Sequence, residues 1–187
     1  RDLNRELRNK TTGTYTVVAT GDLYWKFPVA NRMSPDLREL LRNADTTVGN
    51  LEGGMMRPYA EMRAKDVADL GFDLLANGED DSAEGYEDRA KHLTPLGVKV
   101  AGAGMSLAEA RLPVFQDTPK GLAALLSACP GIDLCGDRAA NGTDWRPARA
   151  GVNQLGLTVW NTVTADQLNQ LRAIRDSILA RRNEPGL

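Results

Sequence analysis

The sequence has few of the side chains that hold transition metals. Among its 187 residues there are one histidine and two cysteines. Cys129 and Cys135 are too far apart for a CxxC redox or zinc motif, and with His92 they cannot complete a closed structural zinc site. We favour two ordinary thiols. The alternative is a short-loop disulfide, which requires a compartment outside the cytoplasm.

The sequence also has no dense block of lysine and arginine, and its formal net charge is -2. We therefore do not expect nucleic acid as a partner. No apolar run approaches the roughly 20 residues that span a bilayer. The hydrophobic share of 42% and charged share of 26% are ordinary for a globular protein. We expect residues 1–187 to form a single domain, or part of a larger one.

Strand-like and helix-like segments alternate along the first half of the chain. The predicted strands are 15–19, 46–48, 72–76 and 98–101. The predicted helices between them are about 34–43, 61–70 and 83–93. This alternation predicts the α/β class: a mainly parallel β-sheet flanked by helices, with right-handed connections.

The second half is less regular. A short helix begins at Ser106, and segments 114–116 and 122–127 predict a hairpin at the end of the sheet. Residues 129–156 have no clear period and predict a long loop, either functional or disordered. The last element is a helix at about 165–182, with Thr164 and Gln167 as a capping box.

Polar residues follow three of the predicted strands. They form Thr20-Gly21-Asp22, Gly49-Asn50-Leu51-Glu52 and Ala76-Asn77-Gly78-Glu79. The carboxyl ends of parallel strands meet at one edge of the sheet, where ligands bind. Oxygen ligands converging there would suit a hard cation or a phosphate. The candidate residues are Asp22, Asn50, Glu52 and Asn77, and Asn50 and Glu52 face the same way on an extended backbone.

Each candidate has a simpler interpretation. Asp22 and Asn77 are also typical of turns and caps, and Asn50 with Glu52 is typical of an Asx-type turn beside a solvated carboxylate. The acidic run 79–81 is expected mainly to be solvated at the start of the third helix, where the helix dipole favours negative charge. His92 lies on that helix, and we do not expect it to bind metal.

The chain resembles the bacterial capsule-biosynthesis family called CapA, or poly-γ-glutamate synthesis proteins, which is similar to calcineurin-type metallophosphoesterases. The resemblance covers about residues 14–128. The motifs that carry it are Thr20-Gly21-Asp22, Ala44-Asp45, Gly49-Asn50-Leu51-Glu52-Gly53, Leu70-Gly71-Phe72-Asp73, Ala76-Asn77, Glu84-Gly85-Tyr86, Leu96-Gly97-Val98, Ala101-Gly102-Ala103-Gly104 and Leu107-Ala108-Glu109-Ala110-Arg111.

This resemblance implies a metallophosphoesterase-like α/β fold, whose full form is a four-layer αββα sandwich. It implies a metal-dependent hydrolase with Asp22 and Asn77 as catalytic residues and Asp22, Asn50, Glu52 and Asn77 as ligands of a divalent metal ion such as Mn, Zn, Fe or Mg. It also implies an extracytoplasmic location, an anionic polymer or phosphoester substrate, and association with membrane-bound polymer-synthesis machinery.

The sequence departs from the family at its Ala-Asn-Asn-His motif. Here Ala76-Asn77 is followed by Gly78-Glu79, so the second Asn and the His are absent. This favours the alternative function, a non-catalytic structural or binding component of an extracellular polymer or filament. Without imidazole ligands, weak Mg²⁺ or Ca²⁺ binding is the expected form of the site. Trp145 and neighbouring arginines of the long loop are candidates for binding an anionic polymer, or for packing that loop.

Overall fold

The computed structural model describes residues 13–52, 55, 58–77, 83–130, 138–155 and 164–182. The chain divides into two compact units, Arg1–Gly156 and Leu157–Leu187. The first unit contains the sheet and every candidate residue, and the second contains the last helix. Among the described residues, no helix has the length and apolar character needed to cross a membrane.

A four-stranded parallel sheet organises the first unit. Its strands are β1 (Val17–Leu23), β2 (Thr46–Leu51), β3 (Leu74–Ala76) and β4 (Lys99–Ala101), in the spatial order β1-β2-β3-β4. The connecting helices are α1 (Pro35–Arg42), α2 (Ala60–Asp69) and α3 (Ala83–His92). The predicted α/β class and parallel sheet are confirmed.

Local sequence signals explain where these helices begin and end. The Ser34 hydroxyl accepts a hydrogen bond from the backbone N–H of Leu37 at 3.4 Å, and Pro35 takes the first helical position of α1. Gly71 follows α2 with a φ of 87°, a left-handed conformation that glycine adopts at low cost. Of the three leucines of α1, Leu37, Leu40 and Leu41, only Leu41 is buried.

One face of the sheet carries the hydrophobic core. Leu23, Leu51 and Leu75 project from three strands into a cluster that also contains residues of the helices. The helical members are Leu41 of α1 and Ala60, Ala64 and Val67 of α2. Side chains alternate between the faces of a strand, so Asp22, Asn50 and Ala76 project from the opposite face.

A β-hairpin is fixed to the sheet by two lysines. Strands β5 (Ala103–Gly104), β6 (Val114–Thr118) and β7 (Gly121–Leu125) follow β4. β6 and β7 pair antiparallel as a separate two-stranded sheet, so the hairpin prediction is confirmed but its placement at the end of the main sheet is wrong. Lys99 of β4 donates to the carbonyl of Phe115 at 2.7 Å, and Lys120 pairs with Asp45 at 2.9 Å.

The predicted long loop contains regular pairing. A short helix, α4 (Leu107–Ala110), precedes the hairpin, and β8 (Gly151–Val152) pairs antiparallel with β5. The Asn153 N–H donates to the carbonyl of Gly102 at 2.7 Å, while its side-chain amide donates to that of Ser127 at 2.9 Å. Residues 151–155 therefore lie across the end of β4 rather than in an irregular loop.

Cys129 is disulfide-bonded, which overturns the interpretation of two ordinary thiols. The backbone supports this position, because the Cys129 N–H donates to the carbonyl of Asn153 and the Cys129 carbonyl accepts from the N–H of Leu155. Cys135 lies outside the described residues. Of the two interpretations of the cysteines, the disulfide is now favoured. Disulfides are typical of proteins outside the cytoplasm.

The second unit contains α5 (Ala165–Arg182). Its predicted capping box is confirmed: the Gln167 N–H donates to the Thr164 hydroxyl at 3.2 Å, and the Thr164 N–H donates to the Gln167 side-chain oxygen at 3.0 Å. Three apolar residues of this helix that recur at a spacing of three, Leu168, Leu171 and Ile174, are exposed.

Candidate functional site

A bulge in β1 sets the position of Asp22. Val17 to Ala19 pair one-to-one with Thr46 to Val48, but Asp22 pairs with Asn50, so β1 contains one more residue than β2 over this stretch. The extra residue lies in Thr20-Gly21. Bulges of this kind bend a strand and redirect its side chains, and they are common beside active sites. The bulge extends β1 beyond its predicted end at residue 19 and brings Asp22 opposite Asn50.

Asp22 and Asn50 are joined directly. The Asn50 Nδ2 donates a hydrogen bond to the Asp22 Oδ1 at 2.9 Å. Asp22 is exposed and Asn50 is half-buried. The amide thus orients the carboxylate, while the second carboxylate oxygen and the amide oxygen keep their lone pairs for another ligand. The prediction that β1 and β2 deliver polar side chains to the same place is therefore realised for this pair.

Glu52 lies just beyond β2 and is half-buried. Its backbone carbonyl accepts a hydrogen bond from the Arg63 Nη2 at 3.1 Å. The same guanidinium nitrogen donates to the carbonyl of Leu23 at 2.9 Å. Arg63 therefore fixes the end of β1 to the end of β2, directly next to the Asp22–Asn50 pair.

Asn77 occupies a different position from the other candidates. Ala76 pairs with Asn50, and the Asn77 N–H continues the ladder by donating to the carbonyl of Ala101 at 2.9 Å. Strand alternation therefore directs Asn77 to the core face, opposite to Asp22 and Asn50. Its side chain is buried, with 0% of its surface exposed. The structure brings Asp22 and Asn50 together and does not place Asn77 on their face.

Two residues near the site, Arg63 and Asp66, were not predicted from the sequence. Both lie on the buried face of α2, and Arg63 is only 1% exposed. Burial lowers the pKa of the Arg63 guanidinium, and Tyr24 partly opposes this shift. The Asp66 carboxylate accepts from the N–H groups of Val29 and Ala30 at 2.9 and 3.0 Å, which fixes the segment following β1. One sequence signal for Arg63 was available. It lies three residues after Ala60, among apolar residues whose helical spacing (Ala60, Ala64, Val67) marks the buried face of α2.

The donor set decides which metal the described residues fit. One aspartate carboxylate, one asparagine amide oxygen and the nearby Glu52 offer oxygen atoms, which suit Mg²⁺ or Ca²⁺ and not a sulfur- or imidazole-rich zinc or iron centre. Within the described ranges, no three histidine, cysteine, aspartate or glutamate side chains form a metal-binding group. His92 is the last residue of α3, and 79–81 lie outside the described residues.

These features define a class: an α/β protein with a parallel sheet and a carboxylate–amide pair at the carboxyl edge of two adjacent strands. The family described as bacterial capsule synthesis protein PGA_cap matches residues 15–184. That match covers most of the chain, and the chain belongs to this family. The resemblance noted in the sequence is therefore confirmed, and the family's description relates it to capsule synthesis.

Two curated relatives are similar to nearly the whole chain. They are "Uncharacterized protein y4sH" and "Uncharacterized protein y4uA" of Sinorhizobium fredii strain NGR234. Each is 29% identical over 201 residues, which cover 95% of this chain and 43% of the relative. The chain thus spans less than half the length of these relatives.

Proposed function

We propose that the protein is a metal-dependent hydrolase of the capsule-synthesis family, acting on phosphoester-type bonds at the Asp22–Asn50 edge of the sheet. The observation that carries this proposal is the hydrogen bond of 2.9 Å between the two side chains, created by the bulge in β1. Ligands of α/β proteins bind outside the carboxyl ends of the parallel strands. The exposed Asp22 carboxylate, oriented by the Asn50 amide, lies at this edge.

Each residue has a distinct task in this proposal. Asp22 and Asn50 would hold a hard divalent cation through their remaining oxygen atoms, with Glu52 as the nearest additional carboxylate. Such a cation polarises the scissile group and lowers the pKa of an attacking water. Arg63 keeps the ends of β1 and β2 together through the carbonyls of Leu23 and Glu52. We assign Asn77 a positioning role at the end of β3, because strand alternation directs it away from Asp22.

The test is hydrolysis of a chromogenic phosphodiester with added Mg²⁺, Ca²⁺ or Mn²⁺. We expect Asp22→Ala to lower the rate by about 100-fold or more, since this change removes a charged ligand from the site. The matched control is Asp117→Ala, which removes an exposed carboxylate from β6. Wild-type activity that depends on none of the three cations, or that survives Asp22→Ala, would contradict the proposal.

A second function is favoured by a specific observation. The sequence lacks the second Asn and the His that complete the family's motif after Ala76-Asn77. A non-catalytic component that binds an extracellular polymer accounts for this departure. In that case the protein retains poly-γ-glutamate in a pull-down equally well with and without Asp22→Ala, and it hydrolyses no phosphodiester.

We also propose an extracytoplasmic location in association with membrane-bound polymer-synthesis machinery. The disulfide at Cys129 supports the location, because such bonds persist in oxidising compartments. Labelling with a thiol reagent after rapid acid quenching of cells tests this. We expect Cys129 to be labelled only after reduction, and labelling without reductant would contradict the location.

A further inference from the structure

Residues 138–150 form a largely exposed, internally hydrogen-bonded segment, which we call the Trp arm. Ala140 and Arg149 exchange two backbone hydrogen bonds of 3.0 Å, and Thr143 and Arg146 exchange two of 2.8 and 3.3 Å. The Arg149 guanidinium donates to the carbonyl of Arg138 at 2.7 and 3.2 Å, which fastens the base. The Thr143 hydroxyl accepts from the N–H groups of Trp145 and Arg146, which fixes the tip. The arm therefore presents its tip in one defined backbone conformation.

The tip of the Trp arm is Trp145, whose exposed fraction is 93%. The sequence left open whether this residue packs the loop, and the structure shows that it does not. A tryptophan held in water exposes a large apolar ring face. Tryptophan and arginine are also the side chains most enriched among residues that dominate binding energy at interfaces. An exposed tryptophan on a backbone already ordered is preorganised for a partner.

The Trp arm is basic although the chain as a whole is acidic. It contains Arg138, Arg146, Arg149 and Asp144, giving it a formal charge of +2, whereas the chain carries -2. Arg149 is used within the arm, but Arg138 and Arg146 are exposed and make no side-chain hydrogen bond to another described residue. Their guanidinium groups are thus available for carboxylates, which they bind in a bidentate manner.

We propose that the Trp arm is a binding site for an acidic polysaccharide, with Trp145 stacking on a sugar ring and Arg146 and Arg138 pairing with ring carboxylates. The negative face of the indole attracts the C–H groups on the apolar face of a pyranose. This inference goes beyond the proposed hydrolase, because binding at the arm requires neither a metal nor Asp22.

Two other anionic partners fit the arm less well. Poly-γ-glutamate would satisfy the arginines but offers no ring face to Trp145. An anionic membrane would take up a tryptophan at its interface, but it offers no pyranose face on which the indole could stack. A polymer of uronic acid rings uses both the exposed indole and the guanidinium groups.

The experiment measures binding of polygalacturonate to the whole chain by affinity electrophoresis and by the change in tryptophan fluorescence. We expect Trp145→Ala to weaken binding about fivefold or more, Trp145→Phe to retain most of it, and Arg146→Gln to weaken it and reduce its salt dependence. Phe27→Ala is the matched control, because Phe27 is another exposed aromatic, outside the arm. Circular dichroism of each variant verifies that the fold is unchanged, as expected for exposed positions.

Three further probes distinguish the occupants. Neutral dextran should bind at least tenfold more weakly than polygalacturonate, and Asp22→Ala should bind polygalacturonate as the wild type does. Equal binding by wild type and Trp145→Ala would overturn the proposal. It would also be overturned by a Trp145-dependent preference for poly-γ-glutamate, or by a Trp145-dependent fluorescence shift seen only with vesicles containing phosphatidylglycerol. These binding outcomes do not depend on whether the protein hydrolyses a phosphodiester.

Discussion

At the scale of single residues, the site depends on a buried arginine that joins the ends of the two strands carrying Asp22 and Asn50. Arg63 joins the carbonyl ends of β1 and β2, and Asp22 pairs with Asn50 on the same two strands. The position of Asp22 was predictable because a polar residue after a buried strand marks the sheet edge. The role of Arg63 was not, because it depends on carbonyl groups that are distant in sequence and meet only after folding.

We expect Arg63→Met to lower the free energy of unfolding by about 2–4 kcal/mol, because it leaves the buried carbonyl of Leu23 and that of Glu52 without their donor. The free energy of unfolding of Arg63→Lys should lie between those of the wild type and Arg63→Met, since an ammonium does not reproduce the planar guanidinium. Urea unfolding followed by circular dichroism measures this. The control is Arg111→Met at an exposed position. A change of less than about 0.5 kcal/mol for Arg63→Met would show that the arginine does not hold the strand ends.

At the scale of elements, the sequence predicted the order of strands and helices, but some boundaries are different. β1 was predicted over 15–19 and is Val17–Leu23, because the bulge allows pairing to resume at Asp22. The bulge is not visible as a sequence pattern, since it arises from the register with β2. Similarly, β8 was hidden in the predicted loop 129–156, because two residues that pair with β5 carry no periodicity.

Gly102 is a sensitive position in the connection from β4 to β5. Its φ is 99°, and a Cβ there would lie 2.6 Å from the carbonyl oxygen of Asn77 and 2.6 Å from the hydroxyl of Ser127. We therefore expect Gly102→Ala to lower the free energy of unfolding by about 2–4 kcal/mol, through backbone strain and overpacking.

The matched control is Gly21→Ala in the bulge of β1. Nothing lies within 4 Å of a Cβ at that position, and its φ is not in the left-handed region. Its unfolding free energy should remain within about 0.5 kcal/mol of the wild type. If Gly102→Ala were as stable as Gly21→Ala, the close approach of Asn77 and Gly102 at the sheet edge would be refuted.

At the scale of the whole molecule, the family match and the sheet agree, while the chain spans 43% of the length of its curated relatives. The sequence motifs predicted the family and the α/β class because they mark the ends of successive strands. They could not predict that Asn77 is fully buried, since this depends on how the chain continues past Ala76, the strand partner of Asn50. They also could not predict the exposure of Trp145, which follows from hydrogen bonds within the arm.

Acid stability tests the link between sheet and hairpin. Hydrogen bonds from the Thr16 backbone, then from Lys120 and the Thr16 hydroxyl, lower the pKa of Asp45 from its ordinary 3.8 to about 2. A depressed pKa stabilises the fold above the unfolded value, and this contribution is lost as pH falls through the folded value. We expect Asp45→Asn to lower the unfolding temperature by a few degrees at pH 6.

The difference between wild type and Asp45→Asn should shrink between about pH 4 and pH 2, where the carboxylate becomes protonated. Differential scanning calorimetry from pH 2 to pH 7 measures this difference in unfolding temperature. Added salt should reduce only part of the difference, because Lys120 is exposed but the Thr16 contacts are neutral. A difference that is constant across this range would show that Asp45 does not act through its charge.

Titration of the protein with Mg²⁺ in an isothermal calorimeter, beside Asp22→Asn, tests the proposed cation site most directly. Asp22→Asn preserves the size of the side chain and removes its charge. We predict one weak site in the wild type, with Ca²⁺ and Mn²⁺ competing for it, and an affinity about tenfold or more lower in the variant. No binding of any of the three ions at millimolar concentration, or equal binding by both proteins, would contradict a cation site at the Asp22–Asn50 edge.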